Sequence, residues 1–309
     1  MRIGLSGGAA SVEAIITQAQ EAEADGFSSL WFASRVAGDP LVAMAMAGRA
    51  TSSIELGTAV LQTYPCHPLL QANRVIAAAN AMGRPGLCLG IGPSHEPIVR
   101  DVLGLSYDRP VRNTAEYLQI LGPLLRGEDV DVDGTEWTAH SAGRAARPEH
   151  PIPLLLSALS PRMLRTAALL ADGVVLWMAS RQALESRITP ILTSAAAEAG
   201  RSAPRIVAGL PVAVHDDLDE AREAVAANAV SYAGMRNYQQ IIRAGGGTDA
   251  ADVAILGDES AVVQQLRALL DAGATDVWAQ PVPVGADRAQ RSASVRRTRS
   301  LLSALARQD

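Results

Sequence analysis

The chain has 309 residues, 48% of them hydrophobic, and a formal net charge of −5 at pH 7. All 27 basic residues are arginine, which excludes Schiff-base aldolases and pyridoxal-phosphate enzymes because both need a lysine amine. Mild acidity without a basic run argues against nucleic acid as a partner. No uncharged apolar run is long enough to suggest a membrane span, so we expect neither partner.

Cysteine, histidine and the first residues indicate the compartment. Cys66 and Cys88 lie far apart and outside any metal or redox spacing, which predicts free thiols of a reducing compartment. The five histidines lack metal-ligand spacing, so we expect no metal site. Residues 1–5 lead directly into an apolar strand pattern, which leaves no room for a signal peptide. The expected location is cytoplasmic.

Short apolar runs alternate with longer amphipathic stretches, a pattern typical of repeated strand–helix units around a parallel sheet. Asp39 and Pro40 open one helix as N-cap and first-turn proline. The other helices are predicted at 11–25, 68–82, 112–126, 160–171, 260–272 and 286–306. The strands are predicted at 3–6, 28–33, 54–61, 87–91, 152–156, 174–177, 206–214 and 275–280. Eight such units predict one (β/α)8 TIM barrel over residues 1–309.

Two segments interrupt this alternation. Residues 127–151 are acidic, then rich in arginine and glycine, and we interpret them as an insertion that covers one mouth of the barrel. Residues 218–257 form a helical excursion within the seventh unit. We expect both segments, the second through its stretch from Tyr232 to Tyr238, to shape a substrate pocket.

Chemistry in such barrels lies at the carboxyl ends of the strands. At the end of the fifth strand, Ser160 is a plausible N-cap and Pro161 occupies the first turn of the next helix. Free backbone N–H groups at a helix N-terminus favour an anion such as phosphate. An ordinary capped helix is the alternative at this position.

The end of the fourth strand carries the second motif, glycines followed by a histidine at 90–96. Glycine lets the backbone approach a flat ligand closely, and His95 just beyond the strand could exchange a proton with a substrate. A loop histidine bonded to the backbone is the alternative. The third strand end, at 56–62, reads by its pattern as a buried strand.

Taken in order, these motifs resemble the luciferase-like monooxygenase superfamily, and within it the branch of oxidoreductases that depends on the deazaflavin coenzyme F420. The resemblance spans nearly the whole chain. Its most specific segments are LGIGPSH at 89–95, GLSYDRP at 104–110, SPRML at 160–164, ADGV at 171–174 and AGLPV at 208–212.

The resemblance implies roles that the local patterns do not supply. A non-proline cis peptide at Ala59-Val60 would lie behind the deazaflavin ring, and 158–162 would hold the coenzyme phosphate, with Arg181 as an added charge. Trp177 would lie near the ring or the substrate. The residues assigned to the coenzyme are Ala59, Val60, Gly92, Pro93, Ser94, Ser157, Ala158, Leu159, Ser160, Arg162, Met163, Trp177 and Arg181.

The reaction follows from two departures from the pattern of the family, one of which is that some relatives place a carboxylate where this chain has His95. Some relatives carry an Asp-His pair where this chain has Ser34 and Arg35, and serine is no comparable base, so alcohol oxidation is disfavoured. We expect hydride transfer from the deazaflavin to an activated C=C or C=N bond of a small, natural-product-like molecule. His95, or a water that it holds, would protonate the product, and Ser34, Arg35 and Gln62 would contact the substrate.

Three alternatives remain open at this point. The first is an FMN-dependent monooxygenase of the same fold, and the second is a non-catalytic flavin-binding protein on the same barrel. The third, a phosphosugar barrel enzyme, is weakened by the missing lysine. The resemblance also implies a homodimer.

Overall fold

Parallel strands form a closed barrel in the computed structural model, which describes residues 1–8, 11–34 and 38–308. β12 returns to pair with β1 through Val277 and Ile3, which closes the barrel. Among the described residues, eight strand positions close the barrel in the order β1, β2, β3, β5, β8, β9, β10, β12. The strands are β1 (Ile3–Gly7), β2 (Ser29–Phe32), β3 (Glu55–Thr58), β4 (Leu61–Gln62), β5 (Leu87–Gly92), β6 (Asp131–Asp133), β7 (Thr138–His140), β8 (Leu154–Leu156), β9 (Gly173–Trp177), β10 (Arg205–Val214), β11 (Ile255–Gly257) and β12 (Asp276–Pro281).

Helices surround the strands, and the predicted TIM barrel is confirmed. They are α1 (Val12–Ala24), α2 (Leu41–Arg49), α3 (Pro68–Met82), α4 (Pro110–Leu125), α5 (Pro161–Leu170), α6 (Arg181–Ala183), α7 (Thr189–Glu198), α8 (Leu218–Asn228), α9 (Val230–Ala233), α10 (Arg236–Ala244), α11 (Glu259–Asp271) and α12 (Arg288–Ala306). Short π-helical turns at Ile98–Val102 and Leu184–Ile188 precede α4 and α7. No helix in these described ranges is long and apolar enough to cross a membrane.

Tryptophans fill the middle of the barrel, and glycines on neighbouring strands make room for them. A Cβ built on Gly57 would lie 2.4 Å from the Trp31 ring, and one on Gly209 would lie 2.0 Å from the Trp278 ring. Any larger residue at either glycine would therefore displace an indole from the packed interior. The tryptophans pack with Leu155 and other buried side chains of the barrel interior.

The base of the barrel is closed by charged side chains. The Arg205 guanidinium lies 2.7 Å from Glu55 Oε1 and 2.7 Å from Asp276 Oδ1, and Arg2 also pairs with Asp276. Burial alone would lower the pKa of Arg205, but its hydrogen bonds to Asp276 and Glu55 raise that pKa above the ordinary value. Burial likewise opposes ionisation of Asp276, and Arg205 overcomes it, so the pKa of Asp276 is lowered.

The third strand differs from the continuous run predicted at 54–61. It splits into β3 and β4 around a cis peptide bond between Ala59 and Val60, the position that the resemblance implied. The Thr58 hydroxyl lies 2.6 Å from the carbonyl oxygen of Gly90 and 2.8 Å from its amide nitrogen. This side chain thus joins the strand to β5 where the backbone ladder is interrupted.

The segment at 127–151 contains the antiparallel hairpin of β6 and β7. Its Trp137 packs edge-on against Tyr117 of α4, with 5.4 Å between ring centroids, and the Asn80 amide of α3 donates to the Arg147 carbonyl. Glu116 of α4 accepts hydrogen bonds from backbone N–H groups of the hairpin turn. These contacts hold the segment against α3 and α4.

Candidate active site

The carboxyl ends of the barrel strands surround a groove made of two adjoining cavities. The inner cavity, of about 220 Å³, lies over the barrel interior, and the outer cavity, of about 200 Å³, extends toward α5. Val60, Ser157 and Tyr238 line both cavities, so the two adjoin at these residues. None of the described residues of the 127–151 segment lines either one, whereas the helical excursion contributes to both.

Four aromatic side chains form one wall of the inner cavity, and we call them the aromatic wall: Trp177, Trp278, Tyr232 and Tyr238. Ring centroids lie 4.9 Å apart for the two tryptophans, 6.2 Å for Trp177 and Tyr232, and 4.9 Å for the two tyrosines. Trp278 Nε1 donates to the Leu176 carbonyl, but the buried Nε1 of Trp177 has no acceptor among the described residues. The wall thus offers π faces and one unpaired donor.

The loop after β5 borders the outer cavity. Ser94 adopts a left-handed backbone, with φ of 63°, which turns the chain sharply beyond Pro93. The Tyr107 hydroxyl donates to the Ser94 carbonyl over 3.1 Å, and the Tyr107 ring stacks on Tyr64 with 5.3 Å between centroids. The segments at 89–95 and 104–110, singled out separately in the sequence, therefore form one unit.

His95 follows this turn and projects into the outer cavity. It is half-buried, and its ring lies 5.6 Å from the Tyr238 ring, centroid to centroid. Burial lowers the pKa of His95 from its ordinary value of 6.5, because an apolar environment disfavours the charged imidazolium. Near neutral pH the imidazole is therefore uncharged.

The N-terminus of α5 lies at the far end of the groove. Leu159, Ser160 and Met163 line the outer cavity there. The Ser160 hydroxyl accepts the Met163 N–H over 3.3 Å, which confirms the predicted N-cap. Pro161 has no N–H, so the Arg162 N–H is the first-turn donor left for a ligand, at the positive end of the helix dipole.

Several predicted site residues come together in this groove. The outer cavity contains His95 and most of the residues assigned to the coenzyme, and the inner cavity adds Ala59 and Trp177. Those in the outer cavity are Val60, Gly92, Pro93, Ser94, His95, Ser157, Leu159, Ser160 and Met163.

Other predicted residues lie elsewhere. Ser34 and Gln62 line a separate polar cavity of about 370 Å³ between the second and third strand ends and α3. Leu61, the neighbour of Gln62 on β4, lines the same cavity. Arg35 lies outside the described residues.

Two arginines and one alanine assigned to the coenzyme also fall outside the groove. Arg181 lies in an outer groove beside α11 and pairs with Glu185 over 3.4 Å. Ala158 is buried in the core, and the exposed Arg162 side chain is absent from the lining of both cavities, so only their backbones remain available.

The sequence interpretation missed one member of the aromatic wall, Trp278. This residue could have been found from strand alternation, since Asp276, Trp278 and Gln280 share one face of β12 and that face points into the barrel. Tyr232 and Tyr238 lie at the two ends of the stretch that was expected to shape a substrate pocket, and both line the inner cavity.

This geometry agrees with the family to which the sequence is related. A family model described as luciferase-like monooxygenase matches residues 2–290. The chain belongs to this family. The coenzyme F420 dependent tetrahydromethanopterin reductase from Methanopyrus kandleri has a similar structure, with a TM-score of 0.74 and 22% identity over 99% of this chain and 97% of that one. At this identity the similarity shows the fold.

Curated relatives of this luciferase-like protein include two oxidoreductases. The 5,10-methylenetetrahydromethanopterin reductase of Methanolobus tindarius is 28% identical over 216 residues, which are 69% of this chain and 64% of that protein. The F420-dependent glucose-6-phosphate dehydrogenase of Beutenbergia cavernae is 28% identical over 215 residues, 65% of this chain and 63% of that protein. The alignments thus span less than two thirds of the length of these relatives.

Proposed function

We propose that the protein is an oxidoreductase that uses coenzyme F420 to reduce an activated C=C or C=N bond of a small organic molecule. The observation that carries this proposal is a groove of two adjoining cavities with an anion-favouring helix N-terminus at one end and the Ala59–Val60 bulge at the other. A coenzyme that carries a phosphate and a flat ring needs an anion site for the phosphate and a surface against which the ring can lie. The name of the F420-dependent glucose-6-phosphate dehydrogenase, one of the two curated relatives, supports the same coenzyme.

The residues of the groove fit a flat ligand at the junction of the cavities. A Cβ built on Gly92 would lie 3.0 Å from the Val60 side chain and 3.1 Å from Ser157 Cβ, so any larger residue would narrow the passage between them. The unpaired Nε1 of Trp177 can donate to a ring carbonyl. Ala59, Val60 and Gly92 to Ser94 would hold the ring, and 157–163 the phosphate.

When bound, the coenzyme supplies a hydride, and the protein must provide orientation, exclusion of water and a proton. The aromatic wall excludes water from the inner cavity and fixes planar groups by their faces. His95 is the titratable imidazole of the outer cavity and would deliver the proton, directly when charged or through a bound water when neutral.

Titration of the purified protein with oxidised F420 and with FMN, followed by coenzyme fluorescence, tests this proposal. We expect saturable F420 binding and at least about tenfold weaker FMN binding, because the proposed site is selected for the deazaflavin. Tight FMN binding without F420 binding would replace the proposal with the FMN-dependent monooxygenase. Tight F420 binding with no turnover of any activated alkene or imine would indicate a coenzyme-binding protein.

We also propose a homodimer, as the resemblance implied. Light scattering coupled to size-exclusion chromatography measures its mass directly. A monomeric mass across the concentration range used for the coenzyme titrations would contradict the dimer and leave the coenzyme proposal unaffected.

A further inference from the structure

The groove has an unusual chemical character for a barrel active site. Among its described lining residues there is no aspartate, glutamate, lysine or arginine in either cavity. The polar groups present are hydroxyls, amides, indole N–H groups and one imidazole. A relative that acts on glucose 6-phosphate, by its name, must accommodate a doubly charged substrate, and this groove offers no described side-chain cation for one.

The titratable groups of the groove are also uncharged near neutral pH. Burial lowers the pKa of His95, and burial with the nearby Glu96 carboxylate raises the pKa of Tyr107 to about 12. Burial, with a smaller contribution from Tyr232, raises the pKa of Tyr238 as well. Away from the α5 N-terminus, which the proposed function gives to the coenzyme phosphate, a charged substrate would exchange water for an uncharged, partly apolar wall, which is costly without a paired charge.

The uncharged lining disfavours charged substrates, and the aromatic wall in turn favours planar ones. Tyr238 lies between the two cavities, 5.6 Å from His95 on one side and 4.9 Å from Tyr232 on the other, measured between ring centroids. Trp177 continues the wall beside the cis bulge in the inner cavity. Aromatic faces favour planar π systems through stacked or edge-to-face contacts. A flat molecule on this wall would lie next to the proton-exchanging imidazole.

We propose that the substrate is an uncharged, planar molecule whose reducible double bond is conjugated with a ring, and that Tyr232 and Tyr238 bind that ring beside His95. This inference rests on the proposed function and narrows it to one substrate class. On this inference, the helical excursion selects the substrate, because it supplies both tyrosines.

Binding to the protein loaded with oxidised F420 tests the charge preference without turnover. Isothermal titration at neutral pH compares cinnamamide with cinnamate, which match in shape and differ in charge. We expect cinnamamide to bind at least about tenfold more tightly, because the carboxylate loses hydration without gaining a partner. Equal binding, or tighter binding of cinnamate, would overturn the proposal.

A second pair of ligands and a pair of variants test the ring contact. The cyclohexyl analogue of cinnamamide should bind about three- to tenfold more weakly than cinnamamide, the usual range for an aromatic pair. Tyr232→Leu should reduce this difference, because Tyr238 alone then contacts the ring, whereas Tyr232→Phe, which keeps the ring, should retain it in full. An undiminished preference for the phenyl ligand in Tyr232→Leu would exclude Tyr232 from the contact.

Titration of the same proteins with F420 distinguishes an error in this inference from an error in the proposed function. F420 is titrated into each variant first, by its own fluorescence. Normal F420 affinity without a preference for the neutral aromatic ligand would overturn the substrate class alone. Absence of F420 binding to the unaltered protein would overturn the proposed function itself, and with it the inference.

Discussion

The two ends of the barrel differ in how their buried polar groups are paired. At the base, Arg205, Glu55 and Asp276 are charged, largely buried and joined by hydrogen bonds of 2.7 to 3.0 Å. In the groove at the strand ends, the described lining is uncharged, and a buried polar atom, Trp177 Nε1, has no hydrogen-bond partner in the part of the chain that the structure describes. The charges of the base satisfy one another, whereas Trp177 Nε1 in the groove is left for a ligand.

This difference separates stability from binding. Ionic groups withdrawn from water must pair completely, so the base can tolerate little change. An unpaired hydrogen-bond donor in the groove destabilises the unliganded protein, and a ligand that brings an acceptor removes this penalty. Variants at the base should therefore affect unfolding, and variants in the groove should affect ligands and turnover.

The largest effect is expected for His95→Ala. Turnover should fall by about 10²–10⁴-fold, the usual contribution of a general acid, while F420 affinity stays largely intact. Steady-state kinetics with a reducible alkene, beside coenzyme titration, measures both. The matched control is His140→Ala, since His140 lies on the exposed β6–β7 hairpin outside the groove. Undiminished turnover in His95→Ala would remove His95 from the mechanism.

Arg205→Met should lower the free energy of unfolding and leave F420 affinity unchanged, because it removes the central charge of the base and does not alter the groove. It leaves Glu55 and Asp276 without their shared cation, so we expect a loss of about 3–5 kcal/mol in the free energy of unfolding. Denaturant unfolding measures this loss. In Arg2→Gln, which removes a half-exposed partner of Asp276, the loss should be at most about 1 kcal/mol. Lost F420 affinity in folded Arg205→Met would show that the two ends are coupled.

The pH dependence of turnover should reveal the protonation state that His95 needs. If the imidazolium donates the proton in reduction, kcat/KM rises as pH falls and levels off below the His95 pKa, which burial places under 6.5. Above that pKa, kcat/KM should fall about tenfold for each pH unit. His95→Asn should lack this limb. A rise in kcat/KM with increasing pH would instead assign His95 as a base, the role needed for oxidation.

The barrel could be predicted from the sequence because every strand carries its own local signal. The run at 87–91 is apolar and bounded by glycine, and the actual strand, Leu87–Gly92, extends it by one residue. The Ser160 cap was equally readable, because a capping hydroxyl and a first-turn proline are local chemistry. The break at Ala59–Val60 was accessible through the resemblance alone, since its periodicity is that of an ordinary buried strand.

The distribution of residues among cavities could not be predicted in the same way. Gln62 and Val60 are two residues apart, but the break between β3 and β4 turns the chain, and they line different cavities. Tyr232 and Tyr238 reach the groove through the packing of the excursion on the barrel, which is a tertiary property. A basic residue such as Arg181, near a strand end in sequence, pairs with Glu185 in a groove outside the barrel.

The smallest expected effect concerns the anion end of the groove. Substitution of Ser160 by aspartate or by asparagine separates its two functions, the capping of α5 and the binding of the coenzyme phosphate. Both side chains are good N-caps, so Ser160→Asp and Ser160→Asn should each keep the hydrogen bond to the Met163 N–H and leave helix stability nearly unchanged. Aspartate also places a negative charge where we propose that the coenzyme phosphate binds. We expect F420 affinity to fall about three- to tenfold in Ser160→Asp relative to Ser160→Asn, a difference that added salt should reduce. Equal affinities in the two variants would move the phosphate away from α5, and the groove would then lack its proposed anion end.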